Sequence, residues 1–335
     1  MWTYVIRRLL LLIPVLLGVS ILTFIIMRAA GDPVSAYLQN PEKATEQQIR
    51  LIEIKYHLNE PEYVQYWYWL KGVLQGDMGE SRASGLPVTD TIIKKFPATF
   101  ELALIATVAA VAAGIATGTR SAVKANSAFD QSTRLTSLVA VSIPVFWLGL
   151  ILAMIFYRGL GWLPYPARIG VTTDLHVVTG FYIVDSILSG NVGTFLDVIK
   201  HLIMPSITLA FASTAIIVRM MRSSMLEVLG AEYVRTARAK GLPESVVIKK
   251  HARRNALIPT VTVVGLSFGG LLGGAVLTET VFSWPGLGRW SAEAALNLDT
   301  AGIMGFVLLT AVIYVLSNLV VDLAYAYLDP RVRLG

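Results

Sequence analysis

The residues best suited to bind another surface through charge lie in one stretch, from Glu232 to Gly241. Glutamate, arginine and lysine side chains form charge-assisted hydrogen bonds with a facing surface, and small side chains allow that surface to approach closely. The charged members are Glu232, Arg235, Arg238 and Lys240. The small members are Ala231, Thr236, Ala237 and Ala239. The pattern predicts a docking element; a basic loop that contacts anionic lipid is the alternative.

Two helices joined by a tight turn are needed to position this stretch. Residues 231–240 favour helix, Gly241 suits the left-handed residue that ends a helix, and Pro243 cannot continue one. A second helix is predicted to open at Pro243, with Glu244 in its first turn and basic residues towards its end, as the helix dipole favours. The sequence therefore predicts a projecting helix-turn-helix.

Residue patterns typical of enzymes and metal sites are missing from the sequence. The chain has no cysteine and four histidines, so thiolate chemistry is excluded and a zinc site is not expected. It also lacks a Gly-x-x-x-x-Gly-Lys-[Ser/Thr] loop for nucleotide phosphates and any recognisable Ser/His/Asp or paired-carboxylate spacing. We expect no catalytic residue, no metal and no cofactor bound by this chain.

The composition indicates that a lipid bilayer is the solvent. Of 335 residues, 55% are hydrophobic and 15% are charged, with a mean hydropathy of +0.62, whereas soluble chains carry about 25% charged residues. Five runs without Asp, Glu, Lys or Arg can cross about 30 Å of hydrocarbon: 9–27, 102–119, 135–157, 256–278 and 303–321. A weaker sixth span is predicted over 202–221. We expect an all-α polytopic membrane protein with six transmembrane helices.

The distribution of the net charge of +6 predicts the orientation. Nine basic residues lie within 219–254, and further basic residues flank the apolar runs on the same predicted side, as cytoplasmic loops require. Both termini are then cytoplasmic. This distribution argues against nucleic acid as a partner. The first apolar run exceeds the apolar core of a signal peptide, so we expect a retained helix.

The first outer loop, 28–97, is predicted to contain two short amphipathic helices. Thr45 and Gln48 form a capping box for the first, and Pro61 suits the opening of the second. The second helix places four large side chains on one face: Tyr63, Trp67, Leu70 and Leu74. This face is predicted either to meet a partner or line a pathway entrance, or to join the aromatic belt at headgroup level.

Glycines recur every four residues in the fifth apolar run, at Gly265, Gly269 and Gly273. This spacing permits close contact between helices. It predicts packing either within the chain or against a companion subunit.

Longer stretches of the sequence resemble one family. Residues 233–241 and 251–259 are similar to the cytoplasmic signature loop of the B-type permease subunits of dipeptide, oligopeptide and nickel ABC importers; Ala237 and Gly241 also match the general importer pattern. Further similar stretches follow in the same order along nearly the whole chain: 7–20, 31–33, 76–81, 97–102, 142–149, 161–164, 279–288 and 329–333.

The resemblance implies a type I ABC importer permease (MetI-like) architecture in the cell's inner membrane. Its implied partners are a homologous second permease, two cytoplasmic ATPase subunits that use ATP and Mg, an extracytoplasmic substrate-binding protein and membrane lipid. Residues 1–27 would hold the first span, 28–97 the outer loop and 98–335 the permease core, with the ATPase-coupling segment at 222–255. Peptides are the expected cargo; oligosaccharide, nickel and glutathione are alternatives.

Residues 279–288, just after the fifth span, resemble a family motif at the outer mouth. Pro285 and Gly286 favour a turn, and Glu279 precedes them. We predict that Glu279 lies among solvated headgroups; a role for Glu279, Pro285 and Gly286 in an outer gate is the alternative.

Two other classes fit the residues without the resemblance. An ion-coupled secondary transporter usually carries Asp, Glu or His within its spans, and the predicted spans, with the sixth taken as 205–218, have none. A structural membrane subunit of an enzyme complex would explain the helix-turn-helix equally well. Only the family resemblance separates the latter from a permease.

Overall fold

A computed structural model describes residues 2–30, 34, 44–273 and 275–328. The motifs that the sequence analysis found at 31–33 and 329–333 lie outside the described residues. Within the described part the chain is helical, with one antiparallel hairpin that pairs β1 (Glu80–Ser81) with β2 (Leu86–Pro87).

The described helices range in length from three to 38 residues. In chain order they are α1 (Trp2–Ala30), α2 (Glu46–Lys55), α3 (Glu62–Leu74), α4 (Val88–Val123), α5 (Ala128–Ser142), α6 (Val145–Leu152), α7 (Tyr182–Leu188), α8 (Val192–Leu229), α9 (Glu232–Ala239), α10 (Glu244–Val246), α11 (Arg253–Leu272), α12 (Val276–Val281), α13 (Leu287–Leu296) and α14 (Thr300–Leu328). A π-helical stretch, Ala153–Gly159, extends α6, and another, Val247–Ala252, joins α10 to α11.

Five of the described helices are long and apolar enough to cross a membrane, and a bent pair would make a sixth span. The five are Leu9–Ala29, Val88–Val123, Val192–Leu229, Glu244–Leu272 and Thr300–Ala324. The prediction of a helical protein with several spans is therefore confirmed.

The third predicted span, 135–157, is not a single straight helix. Its two halves, Ala128–Ser142 and Val145–Gly159, meet at 100°. Ile143 and Pro144 are both extended there, each with ψ of 127°. A proline disfavours helical geometry in the residue before it and has no N–H to donate to the preceding turn. The helix therefore breaks at this proline.

The other spans also differ from the apolar runs at their ends. The helices α4 and α8 extend well beyond 102–119 and 202–221. The extensions bring in Glu101 and His201, both buried, which lie next to the predicted runs and not within them. The fifth span ends at Leu272, before the predicted 278.

The core is centred on α4 and α8, which pack along one another. Leu102, Ala106 and Ala110 of α4 meet Leu202 and Ile217 of α8. Close approach is possible because Gly114 and Gly118 of α4 face α8 without side chains. The helix α11 packs on both α8 and α14, while α1 packs mainly on α14 and leaves most of its described apolar surface exposed.

Residues 44–87, which we call the cap, cover the end of the bundle where α4 begins. The predicted capping box is confirmed, since Thr45 and Gln48 exchange both hydrogen bonds. The second cap helix starts directly after Pro61. Its predicted apolar face does not pack on the described chain: Tyr63, Trp67 and Leu74 are 76%, 63% and 80% exposed.

Candidate functional site

The predicted helix-turn-helix is confirmed at the end of the bundle opposite the cap. After α8 ends, α9 runs from Glu232 to Ala239, and the next helix opens at Glu244. Gly241 between them has φ of +73°, the left-handed conformation that only glycine adopts without cost. Its N–H donates to the carbonyl of Arg238 at 2.9 Å. We call residues 231–247 the knob.

The knob has a small apolar interior. Val234 and Val247 are completely buried and pack with Ala237, which is 6% exposed. The prediction that Ala237 faces a partner is therefore wrong, because this alanine is the inward position of an amphipathic helix. Thr236 and Ala239 are exposed and remain available to an approaching surface.

Two ion pairs hold the surface charges of the knob. Arg238 donates two hydrogen bonds to Glu244, at 2.7 and 3.1 Å, and thereby bridges the two helices across the turn. Arg235 pairs with Glu232 at 2.8 Å within one helix, where both side chains are largely exposed. Exposed pairs of this kind contribute little to stability. The Arg238–Glu244 pair is also exposed and marks how the two helices are oriented, whereas Lys240 lies on the surface without such a bridge across the turn.

The knob is joined directly to two membrane helices. The helix α8 enters it, and from Glu244 the chain continues as one helix to Leu272. Asn255 of this helix donates to the hydroxyl of Tyr233 at 2.8 Å. The knob is therefore joined to α11 by continuous helix and to α8 through the single residue Gly230.

A buried ionic cluster fixes the base of α8 next to the knob. Asp130, which is completely buried, accepts two hydrogen bonds from Arg222, the Nη2–Oδ2 bond measuring 2.7 Å. It also accepts from the hydroxyl of Ser121 and from the backbone N–H of Asn126. One carboxylate thus ties α8 to the turn between α4 and α5.

The three predicted glycines pack against α14 of the same chain. A Cβ on Gly265 would overlap the side chain of Val321. On Gly269 it would lie 3.3 Å from Ser317 Cβ, and on Gly273 3.1 Å from Thr310 Cγ2. The glycines therefore bring α11 and α14 together within this chain.

We expect Gly265→Ala to destabilise the protein, because the added methyl group overlaps Val321. Overpacking of this kind costs about 1–3 kcal/mol, more than the ~1 kcal/mol that alanine gains over glycine in a helix. The measurement is the thermal unfolding midpoint of the purified chain in detergent. Gly270→Ala is the matched control, since a Cβ there meets nothing within 4 Å. A midpoint for Gly265→Ala at or above that of the control would contradict the packing.

Glu279 is buried, so the prediction that it lies among solvated headgroups is wrong. Its Oε1 accepts from the hydroxyl of Thr99 at 2.7 Å, and its Oε2 accepts from the backbone N–H of Arg289 at 2.8 Å. The Thr99 hydroxyl in turn accepts from the N–H of Leu287 at 2.8 Å. Burial raises the pKa of the Glu279 carboxyl above its usual value. The segment after α11 is thereby fastened to α4.

Pro285 and Gly286 form the predicted turn beside this carboxylate. The N–H of Gly286 donates to the carbonyl of Trp284 at 2.9 Å. A Cβ on Gly286 would lie 2.5 Å from the Glu279 carboxyl carbon. Glycine is therefore required here by space, since its φ of −95° is ordinary.

A second buried ion pair lies nearby. Arg168 donates to Glu101 Oε2 at 2.8 Å and to the carbonyl of Gly180 at 2.7 Å. The other oxygen of Glu101 accepts from the N–H of Ile183 at 2.7 Å. The guanidinium also stacks on Tyr182, 3.6 Å from the ring centroid. The long segment between α6 and α8 is therefore anchored to α4.

A family model matches most of the chain. Residues 92–334 match the binding-protein-dependent transport system inner membrane component, and residues 1–103 match the N-terminal region of such membrane components. The chain belongs to this permease family. The permease is 47% identical to a dipeptide transport system permease protein of Alkalihalophilus pseudofirmus, over 99% of this chain and 100% of the relative. It is 44% identical to a di/tripeptide permease of Pseudomonas aeruginosa, over 99% of both chains. It is 40% identical to an oligopeptide permease of Bacillus subtilis, over 99% of this chain and 100% of the relative.

Membership of the family confirms the resemblance seen in the sequence. The protein is a multi-pass inner membrane permease subunit, and it is not itself catalytic. A system of this kind works with a substrate-binding protein and an ATPase as partners. An ion-coupled transporter and a structural enzyme subunit are thereby set aside.

The sequence alone did not identify the buried carboxylates of the permease as groups that hold the structure together. Asp130 and its partner Arg222 are 92 residues apart in sequence, and Glu101 and Arg168 are 67 apart. A local signal did exist for Asp130, because it follows Ser127 at the third position of a helix, where an acidic residue suits the first turn. No spacing rule points to its partner.

Proposed function

We propose that this permease forms, with a homologous second permease, the pathway by which an ATP-driven importer takes up dipeptides and short oligopeptides. The supporting observation is full-length similarity, at 40–47% identity, to permeases named for dipeptide, di/tripeptide and oligopeptide transport. In this proposal a binding protein delivers the peptide from outside, and two ATPase subunits bind beneath the permease pair.

The knob is the ATPase-coupling element. Its exposed charges, together with Thr236 and Ala239, form the face that receives the ATPase, and its buried Val234 and Val247 keep it stiff. A stiff element that continues into α8 and α11 can move both helices together. ATP can shift the balance between inward-facing and outward-facing states only if the ATPase contacts differ between them.

The knob lies on the cytoplasmic side, and both termini are cytoplasmic. The concentration of nine basic residues in 219–254 supports this orientation. The cap and the segment of Glu279, Pro285 and Gly286 are then on the outside. There, Glu279 is a fixed part of the outer gate, since its hydrogen bond with Thr99 ties the segment of Glu279, Pro285 and Gly286 to α4.

Replacing Gly241 by valine tests the coupling role. A β-branched residue in the left-handed conformation costs about 1–2 kcal/mol, so the turn and the angle between the knob helices should change. We expect ATPase activity stimulated by peptide-loaded binding protein to fall by about tenfold or more in the assembled complex. Membrane insertion and the ATPase subunits' basal activity should not change.

Gly230→Ala is the matched control, because Gly230 ends α8 with an ordinary φ of −84°. Charge reversal at the exposed Lys240 should also reduce stimulation, without breaking the Arg238–Glu244 pair. The coupling role would be contradicted by unchanged stimulation in Gly241→Val. The substrate proposal fails separately if labelled dipeptide is not taken up by vesicles that contain the complete wild-type system.

A further inference from the structure

A cavity of about 200 Å³ lies between α1, the cap and the start of α14. Phe24, Met27 and Arg28 of α1 form one wall, and Thr300 and Met304 of α14 form another. About 10–15 Å³ of such space holds one water molecule. The cavity is therefore large enough for a polar headgroup rather than a single ion.

Arg28 leaves a hydrogen-bond donor unsatisfied at this cavity. Its Nε is buried, and no acceptor for it is found in the described part of the chain. A buried donor without a partner costs free energy. Lys55 lines the same cavity, and its ammonium group is 3.4 Å from Glu80, a weak hydrogen bond. The cationic side chains of Arg28 and Lys55, with the Nε–H of Arg28 still lacking an acceptor among the described residues, suit a phosphate group.

Other residues that line the cavity suit a cation. Asp77 lines it, with one carboxylate oxygen accepting the N–H of Gly79 at 2.9 Å. Tyr68 and Trp69 contribute aromatic surface, which attracts ammonium groups. His57 stacks on Tyr68 at 3.7 Å between ring centroids and has φ of +54°. Such an unfavourable backbone conformation persists only where its surroundings hold it.

The cavity lies at headgroup depth. The apolar segment Leu9–Ala29 has 21 residues, which at 1.5 Å per residue match about 30 Å of hydrocarbon. Arg28 is therefore at the membrane boundary, whichever way the chain is inserted. On the helix face that carries Arg28, α1 exposes Leu17 and Ile21 by 39% and 44%. This face offers acyl chains a surface directly beneath the cavity.

We propose that the cavity binds the headgroup of a phosphoethanolamine lipid. The phosphate contacts Arg28 and Lys55, the ammonium group lies by Asp77 and the aromatic side chains, and the acyl chains follow the exposed face of α1. The bound lipid adds to the direct contacts between α1 and the cap, in which Ser20 hydrogen-bonds to Tyr66 at 2.8 Å and the Phe24 and Tyr66 rings pack edge to face.

Lipid retention by the full-length chain tests this site. The protein is reconstituted in nanodiscs of equal phosphatidylethanolamine and phosphatidylglycerol, extracted into mild detergent, and analysed by native mass spectrometry. We expect the wild type to retain one phosphatidylethanolamine per chain and Arg28→Gln to retain about tenfold less. Arg7→Gln, an exposed arginine near the other end of α1, should retain the lipid as the wild type does.

Asp77→Asn tests the ammonium contact and does not depend on the behaviour of Arg28→Gln. It should keep a bound phospholipid but lose the preference for phosphatidylethanolamine. Wild-type protein without retained lipid, or equal retention in Arg28→Gln and the wild type, would overturn the site. A wild-type preference for phosphatidylglycerol would overturn its zwitterionic chemistry. Displacement of the lipid by millimolar dialanine would show that the zwitterion bound there is peptide and overturn the lipid assignment.

Discussion

Replacing Arg222 by methionine is expected to lower the free energy of unfolding of the permease by about 3–5 kcal/mol. Asp130 is completely buried, and Arg222 supplies two of its hydrogen bonds and its only cation at hydrogen-bond distance among the described residues. Methionine keeps most of the side-chain volume but leaves the ionised carboxylate with only the more distant Arg134, 3.9 Å away, as a counter-ion among the described residues. The thermal unfolding midpoint of the purified chain, in one detergent and lipid mixture, measures the loss.

Arg219→Met is the matched control, because Arg219 is exposed one turn earlier in the same helix. Adding Asp130→Asn to Arg222→Met removes the unpaired charge and should recover part of the stability. If Arg222→Met and Arg219→Met unfold at the same temperature, the buried pair does not stabilise the fold in this way.

This ion pair also bears on coupling. Between Arg222 and the knob, residues 223–229 are helical and Gly230 ends the helix. Asp130 therefore fixes the helix that enters the knob, our proposed coupling element, to the α4–α5 turn. We expect Arg222→Met to reduce stimulated ATPase activity as well, even at a temperature where the protein remains folded.

The membrane helices were predictable from the sequence because apolar runs of spanning length are a local property. Their ends were not. In α4 the chain continues as helix through Glu101, whose charge is neutralised by Arg168 from a distant segment. A prediction from composition alone ends a span at the first charged residue. The break at Pro144 had a local signal, but an apolar run of spanning length masked it.

The knob turn and the segment of Glu279, Pro285 and Gly286 show the same limit at single residues. Gly241 could be predicted to be left-handed because the stop signal lies within three residues of it. The burial of Glu279 could not, since Thr99 lies 180 residues away and comes from another helix. Ala237 was assigned to the wrong face because its apolar partner Val247 lies beyond the turn. Local geometry was therefore predictable where contacts across the bundle were not.

Replacing Arg168 by methionine is expected to lower the free energy of unfolding by about 3–5 kcal/mol. Arg168 and Glu101 are 6% and 4% exposed, so removing the guanidinium leaves a carboxylate in the core without its counter-ion. The backbone carbonyl of Gly180 loses its donor as well. The segment from 160 to 190 should then detach from α4. Limited proteolysis of the folded protein would detect this as new cleavage within that segment.

Arg158→Met provides the comparison for this prediction, because Arg158 is exposed at the start of the same segment. Glu101→Gln combined with Arg168→Met should be less destabilising than Arg168→Met alone, since the buried charge is removed with its partner. The difference from additivity in this double-mutant cycle measures the interaction between the two side chains. A cycle that is additive within about 0.5 kcal/mol, with no new cleavage in Arg168→Met, would mean that the aromatic stack on Tyr182 and the backbone hydrogen bonds hold the segment without the ion pair.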